Sequence, residues 1–122
     1  MPAFHEPDTV LARIQQDIGA AQERAARATE VRQQMDAIRG AARSPRGEVA
    51  AVVDPSGRLT DLTFTDDALR LSARELSRLT LDTVRRAGAE AGRQAVDLMS
   101  DSFGADSQLT EHLRNEVAAR QL

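Results

Sequence analysis

Lysine, cysteine, tryptophan and tyrosine are all absent from this 122-residue chain, and each absence closes a route. Without cysteine there can be no disulfide and no thiolate metal site. With three phenylalanines as the only aromatics, the core must be built from leucine, valine, isoleucine and alanine. Alanine buries little area per residue, which favours close helix seams over a thick interior. No apolar run approaches the ~20 residues of a membrane span. Met1 to Pro7 lacks the basic and apolar regions of a signal peptide. A cytoplasmic protein of one domain is the expectation.

The missing lysine means that all 16 basic residues are arginine, against 19 acidic ones. Codon bias in a GC-rich genome would produce this. So would selection for bidentate phosphate contacts, which guanidinium makes and ammonium does not. Composition leaves both readings open. The net charge of −3 is spread evenly, so a nucleic-acid surface would have to be a local patch created by folding.

Gly47 to Thr65 is the stretch with a period of two. Val49, Ala51 and Val53 point to one face, Ala50 and Val52 to the other. Asp54-Pro55-Ser56-Gly57 supplies a turn, with proline presetting φ and glycine tolerating a positive φ. Leu62 and Phe64 then alternate with Asp61, Thr63 and Thr65, as in a half-buried strand. The pattern predicts a β-hairpin. A lone hairpin is marginal in water, so it must pack on helices, pair with a second copy, or both.

Helical patterns flank the hairpin. Asp8 or Thr9 can cap a first helix that runs to about Arg39. Leu11, Ile14, Ile18, Ala21, Ala25 and Ala28 give it a coiled-coil-like seam, continued by Val31, Met35 and Ile38. Such a seam needs a partner helix. Gly40 can end it, although Ala41, Ala42 and Arg43 could continue it for a turn. Pro45 cannot. Ser72 and Glu75 form a capping box for a second long helix, which reaches Ser100 or Ser102. Its buried stripe is Leu76, Leu79, Val84, Ala87, Ala91, Ala95 and Leu98. Gly88 and Gly92 flatten one side for close approach of another backbone. After Gly104, Asp106 or Ser107 can cap a short last helix bearing Leu109, Leu113 and Val117, a remote appendage over 106–122.

No catalytic constellation is present. There is no phosphate-cradling glycine loop, no H-E-x-x-H and no G-x-S-x-G. His5 and His112 lie near opposite ends and suggest surface residues, not metal ligands. The chain reads as a non-enzyme without cofactor, metal or small-molecule substrate. A binding surface is the alternative. If the first helix continues past Gly40, Arg32, Arg39, Arg43 and Arg46 share one face at spacings of 7, 4 and 3, interrupted by Asp36. Arg58 joins them at the hairpin tip. Arg70, Arg74 and Arg78 form a second, lower-ranked stripe, partly outside the second helix and partly paired to Glu75 and Asp82. Either set could equally be a solvated face laced with ion pairs.

The order of elements and the motif G-x-V-x-A-x-V-D-x-x-G-x-L-x-D-L resemble the YbaB/EbfC family of bacterial nucleoid-associated proteins. Gly47, Val49, Val53, Gly57, Leu59, Leu62, Ala68, Leu69, Leu76, Ala87, Ala91 and Ala95 carry the likeness over residues 8–100. The alanine and arginine bias is similar to an actinobacterial branch. The resemblance implies an α+β fold: a long helix, a hairpin or small antiparallel sheet and a second long helix, to which the residues themselves add a short C-terminal helix. It implies a homodimer in which strands from two chains form the central sheet and the long helices project like tweezers, with residues 1–105 as the dimerisation and DNA-binding domain. Val49, Ala51, Val53, Leu62, Phe64, Leu76, Val84, Ala87 and Ala91 would form the dimer interface. Arg32, Arg39, Arg43, Arg46 and Arg58 would hold double-stranded DNA with little sequence specificity, in nucleoid organisation or gene regulation. The alternative is a protein-interaction module of the same fold, such as a secretion-system accessory factor, that binds no DNA.

Overall fold

A computed structural model describes residues 6–120; His5 and most of the N-terminal segment lie outside them. The order is helix α1 (Glu6–Ala37), strands β1 (Gly40–Arg43), β2 (Val49–Val53) and β3 (Leu59–Phe64), helix α2 (Ala73–Phe103) and helix α3 (Gln108–Arg120). A 3-10 turn, Asp66–Arg70, links the sheet to α2. The strands form one antiparallel sheet in the order β1-β2-β3. The α+β class and the central hairpin agree with the sequence reading.

The chain divides into two compact units, Met1–Gln33 and Gln34–Leu122. The first consists of most of α1. Helix is already formed at Glu6, so Asp8 and Thr9 sit within its first turns and are not its caps. Along it, Leu11, Ile14 and Ile18 are each about half exposed, so the start of the predicted seam is an apolar row left open among the described residues.

The second unit contains a strand that sequence patterning did not anticipate. Residues 40–43 continue no helix. They pair with β2, Gly40 opposite Val53 and Arg43 opposite Ala50. Local alanine propensity for helix yields here to sheet pairing and to packing on α2. Gly40 makes that packing possible: a Cβ there would fall 2.2 Å from the Ala87 carbonyl oxygen and 2.3 Å from the Ala91 nitrogen. The close backbone approach to α2 is thus made at Ala87 and Ala91. Gly88 and Gly92, to which it was assigned, instead face the Val53 and Val117 side chains.

Both hairpins are built on the same four-residue plan, Ser44-Pro45-Arg46-Gly47 and Asp54-Pro55-Ser56-Gly57. In each, the glycine amide donates to the first residue's carbonyl, at 2.9 and 3.0 Å, and the glycine has positive φ, 76° and 92°. The first side chain completes each turn. Ser44 Oγ accepts from the Val49 amide, and Asp54 Oδ1 accepts from the Ser56 and Arg58 amides.

The core lies between β1–β2 and α2. Val49, Ala51 and Val53 are 0–2% exposed, and Ala51 and Val53 pack with Ala87 and Ala91, flanked by Ile38, Ala42 and Val84. Burying a valine this completely contributes about 1.5–2 kcal/mol. Thr83 is also fully buried; its hydroxyl is satisfied by donating to the Leu79 carbonyl, a position the apolar pattern passed over. Ser72 caps α2 by accepting from the Glu75 amide, and its hydroxyl donates to Glu75 Oε1. Gly104 ends the helix. Ser107 caps α3 through the Thr110 amide, and buried Thr110 donates to the Gly104 carbonyl. Val117 of α3 packs over Gly92, and Arg120 donates to the Pro55 carbonyl at 2.7 Å. The C-terminal helix is therefore docked on α2.

Candidate functional site

The sheet positions the arginines, and it does so differently from a helical face. Helix α1 stops at Ala37, so Arg32, Arg39, Arg43 and Arg46 do not share one helix side. Arg32 belongs to the first unit and the others to the second. Arg39 donates from Nη1 to the carbonyls of Asp36 and Ile38, at 2.9 and 2.6 Å, and so satisfies free acceptors at the end of α1. Arg43 ends β1, on the sheet face opposite the core, because it pairs with Ala50 and not with a core-facing residue. Arg46 lies in the β1–β2 turn.

Arg58 follows the β2–β3 turn, at the other end of the sheet. A five-residue strand separates the two ends by about 16 Å. Arg43, Arg46 and Arg58 are exposed, and none forms an ion pair among the described residues. Of the five predicted contacts, the structure brings Arg43 and Arg46 together and leaves Arg58 across the sheet.

Carboxylates near these turns are already engaged. Asp54 is held below the usual carboxylate range, first by the Ser56 hydroxyl and then by the Arg58 amide. Glu48, buried beside Ser44, is lowered by its own amide and by the Ser44 hydroxyl. Each stays charged but faces inward to its own turn, so neither is a free acid.

Helix α2 carries arginines of two kinds. Arg86 and Arg93 belong to a ladder of exposed pairs, Asp82–Arg86 at 3.1 Å, Glu90–Arg93 at 2.5 Å and Arg93–Asp97 at 2.9 Å. Such pairs contribute little to stability. The acids Glu75, Asp82, Glu90 and Asp97 recur every seven or eight residues and so occupy one face. Arg74, Arg78 and Arg85 lie beside it without an ion pair among the described residues, while Arg70 pairs with Asp67 at 3.3 Å. Asp82, assigned to Arg78, pairs with Arg86 instead. Sequence reasoning missed Arg85, although the seven-residue repeat of acids was a usable signal.

The proposed interface residues also separate into two groups. Val49, Ala51, Val53, Ala87 and Ala91 are covered within the single chain, so they are its core and have no surface to offer a second copy. Leu62 and Phe64 are different. They pair with Ala51 and Val49, which puts them on the core-facing side of the sheet. Helix α2 packs over β1 and β2, and Leu62 and Phe64 remain 37% and 45% exposed. A bulge opposite Val52/Val53 keeps Leu59 in phase with them. Leu76 and Val84 are half-buried on α2, and Leu81 beside them is exposed. The outer edge of β3 also pairs with no other strand among the described residues.

A family model described as the YbaB/EbfC DNA-binding family matches residues 11–105, most of the chain. The chain belongs to the YbaB/EbfC DNA-binding family. No curated protein matches it. The YbaB/EbfC match takes in α1, the sheet and α2, and stops before α3. No helix among the described residues is long and apolar enough to cross a membrane. No cluster of histidine and acidic side chains among them could hold a metal.

Proposed function

We propose that this YbaB/EbfC protein is a non-enzymatic, nucleoid-associated DNA-binding protein of the cytoplasm that acts as a homodimer with little sequence specificity. The family match over residues 11–105 carries the reading. Exposed arginines outside ion-pair distance of a carboxylate support it, because such guanidinium groups keep donors for phosphate oxygens, although Glu48 and Asp54 attract Arg46 and Arg58. Arg43, Arg46 and Arg58 supply them at the sheet, and Arg39 supplies its remaining donors beside the end of α1. The dimer is supported by the uncovered β3 face and by the apolar row on α1. A two-fold partner repeats every phosphate contact, and affinity in low salt grows with their number.

The row Leu11, Ile14 and Ile18 favours a second reading, a protein-interaction module that grips another protein through its helices. Replacing Arg43, Arg46 and Arg58 by alanine separates the two. DNA binding predicts at least a tenfold loss of duplex affinity with unchanged thermal stability. The interaction module predicts no measurable duplex binding in either protein, and loss of partner capture when Leu11, Ile14 or Ile18 is made polar.

A further inference from the structure

The Asp54–Gly57 turn, one flank of α2 and the last turns of α3 enclose a groove of about 610 Å³, a volume within the ~300–1,000 Å³ of small-ligand sites. Its floor is apolar, made by Val53, Val84, Ala89 and Val117 with Gly88 between them. Gly92 lets the α3 wall close in, since a Cβ there would fall 2.5 Å from Val117 Cγ1.

Three arginines, Arg85, Arg86 and Arg120, line the groove, with Asp54 as the one acidic residue in its lining. That carboxylate stays charged, with Oδ1 accepting from the Ser56 amide at 2.9 Å, the Ser56 hydroxyl at 2.6 Å and the Arg58 amide at 2.9 Å. Arg86 is fixed by Asp82 and the Arg43 carbonyl. Arg120 is anchored on the Pro55 carbonyl and lies 3.6 Å from Glu116. Arg85 is exposed and forms no ion pair among the described residues. An apolar floor alone would accept a neutral molecule; Arg85, which holds no carboxylate in an ion pair among the described residues, favours an anion.

We propose that this groove binds a compact amphipathic anion. Its apolar body lies on Val84 and Ala89 against Val117, and its single carboxylate, sulfonate or phosphate group is held by Arg85. Val117 and Arg120 lie beyond the residues that match the family, so one wall of the site is an addition to the shared fold. The site uses none of Arg39, Arg43, Arg46 and Arg58, so it stands independently of DNA binding.

The test is a fluorescence titration of the whole chain with 1-anilinonaphthalene-8-sulfonate, followed by displacement with decanoate and with 1-decanol. Saturable binding is expected, with decanoate displacing the dye at about a tenfold lower concentration than the uncharged alcohol, as a charge-assisted contact requires. Gly88→Leu fills the groove; the nearest atom to a Cβ at Gly88 is Val53 Cγ1 at 4.0 Å, so the start of the new side chain is accommodated. Affinity should fall about tenfold. Arg85→Gln, on an exposed side chain, should weaken dye and decanoate by about fivefold or more. Far-UV circular dichroism checks both variants, and Arg85→Gln decides alone if Gly88→Leu does not fold. Absence of saturable binding overturns the proposal. So does dye affinity within twofold of the parent in the folded variants, which would place the dye on another apolar surface.

Discussion

Gly40→Ala is a one-methyl change whose cost is set by backbone. The added Cβ would lie 2.2 Å from the Ala87 carbonyl oxygen, 2.3 Å from the Ala91 nitrogen and 2.7 Å from Ala91 Cβ. Ordinary contact needs about 3.5 Å, so β1 and α2 must separate by roughly 1 Å or more. Two of the three neighbours are main-chain atoms of a helix, which no rotamer change can move. Separation would also loosen Ala51 and Val53 against Ala87 and Ala91. Overpacking costs about 1–3 kcal/mol, and the backbone neighbours put this case at the upper end. The smaller unfolded-state entropy of alanine returns less than about 1 kcal/mol. A net loss of about 2–3 kcal/mol should lower the melting temperature by roughly 8–15 °C in a domain of this size.

Urea and thermal unfolding followed by far-UV circular dichroism, at matched protein concentration, would read it. Gly19→Ala is the internal control. That glycine lies within α1 with nothing within 4 Å of a Cβ, so alanine should raise helix stability by up to about 1 kcal/mol. A Gly40→Ala protein within about 0.5 kcal/mol of the parent would refute the contact between β1 and α2.

Two further outcomes follow from the ion pairs and the open face. Hydrogen bonds from Arg93 and then Gln94 lower the Glu90 carboxyl from 4.5 to about 2. A depressed carboxyl stabilises the fold above its unfolded value and loses that contribution as pH falls toward 2. Melting temperatures of the parent and Glu90→Gln should therefore converge between pH 4.5 and 2, and lie closer at high salt because the groups are exposed; a gap constant with pH would contradict this. Leu62→Glu with Phe64→Glu should halve the mass measured by light scattering while leaving the far-UV spectrum helical; an unchanged mass would remove β3 from any dimer contact.

The hairpin from Val49 to Phe64 was legible because alternation and the Asp54-Pro55-Ser56-Gly57 turn gave the same answer. The capping pair Ser72 and Glu75 set the start of α2 for the same reason: one local hydrogen bond decides it. Strand β1 was hidden because Gly-Ala-Ala-Arg has no alternation and a good helix propensity, and its pairing is with residues seven to thirteen positions away. Yet Ser44-Pro45-Arg46-Gly47 repeats the spacing of the second turn, and that repeat was the available sign of a first hairpin. Once β1 is a strand, the helical spacing of Arg32, Arg39, Arg43 and Arg46 loses its meaning. The docking of α3 depended on a glycine at 92 meeting a valine at 117, a pairing that no local pattern records. Exposure of Leu62 and Phe64 was likewise invisible, since alternation reveals which residues share a face but not which strands a helix covers.

Binding to phosphates is tested most directly by fluorescence anisotropy of a ~30-base-pair random duplex titrated with the parent protein at several salt concentrations. Affinity in the micromolar range is predicted, with its logarithm falling linearly against the logarithm of salt and a slope of several units, about 0.9 for each phosphate neutralised. A folded protein that binds no duplex even at low salt would contradict DNA binding and turn attention to the apolar rows of α1 and β3 as sites for a protein partner.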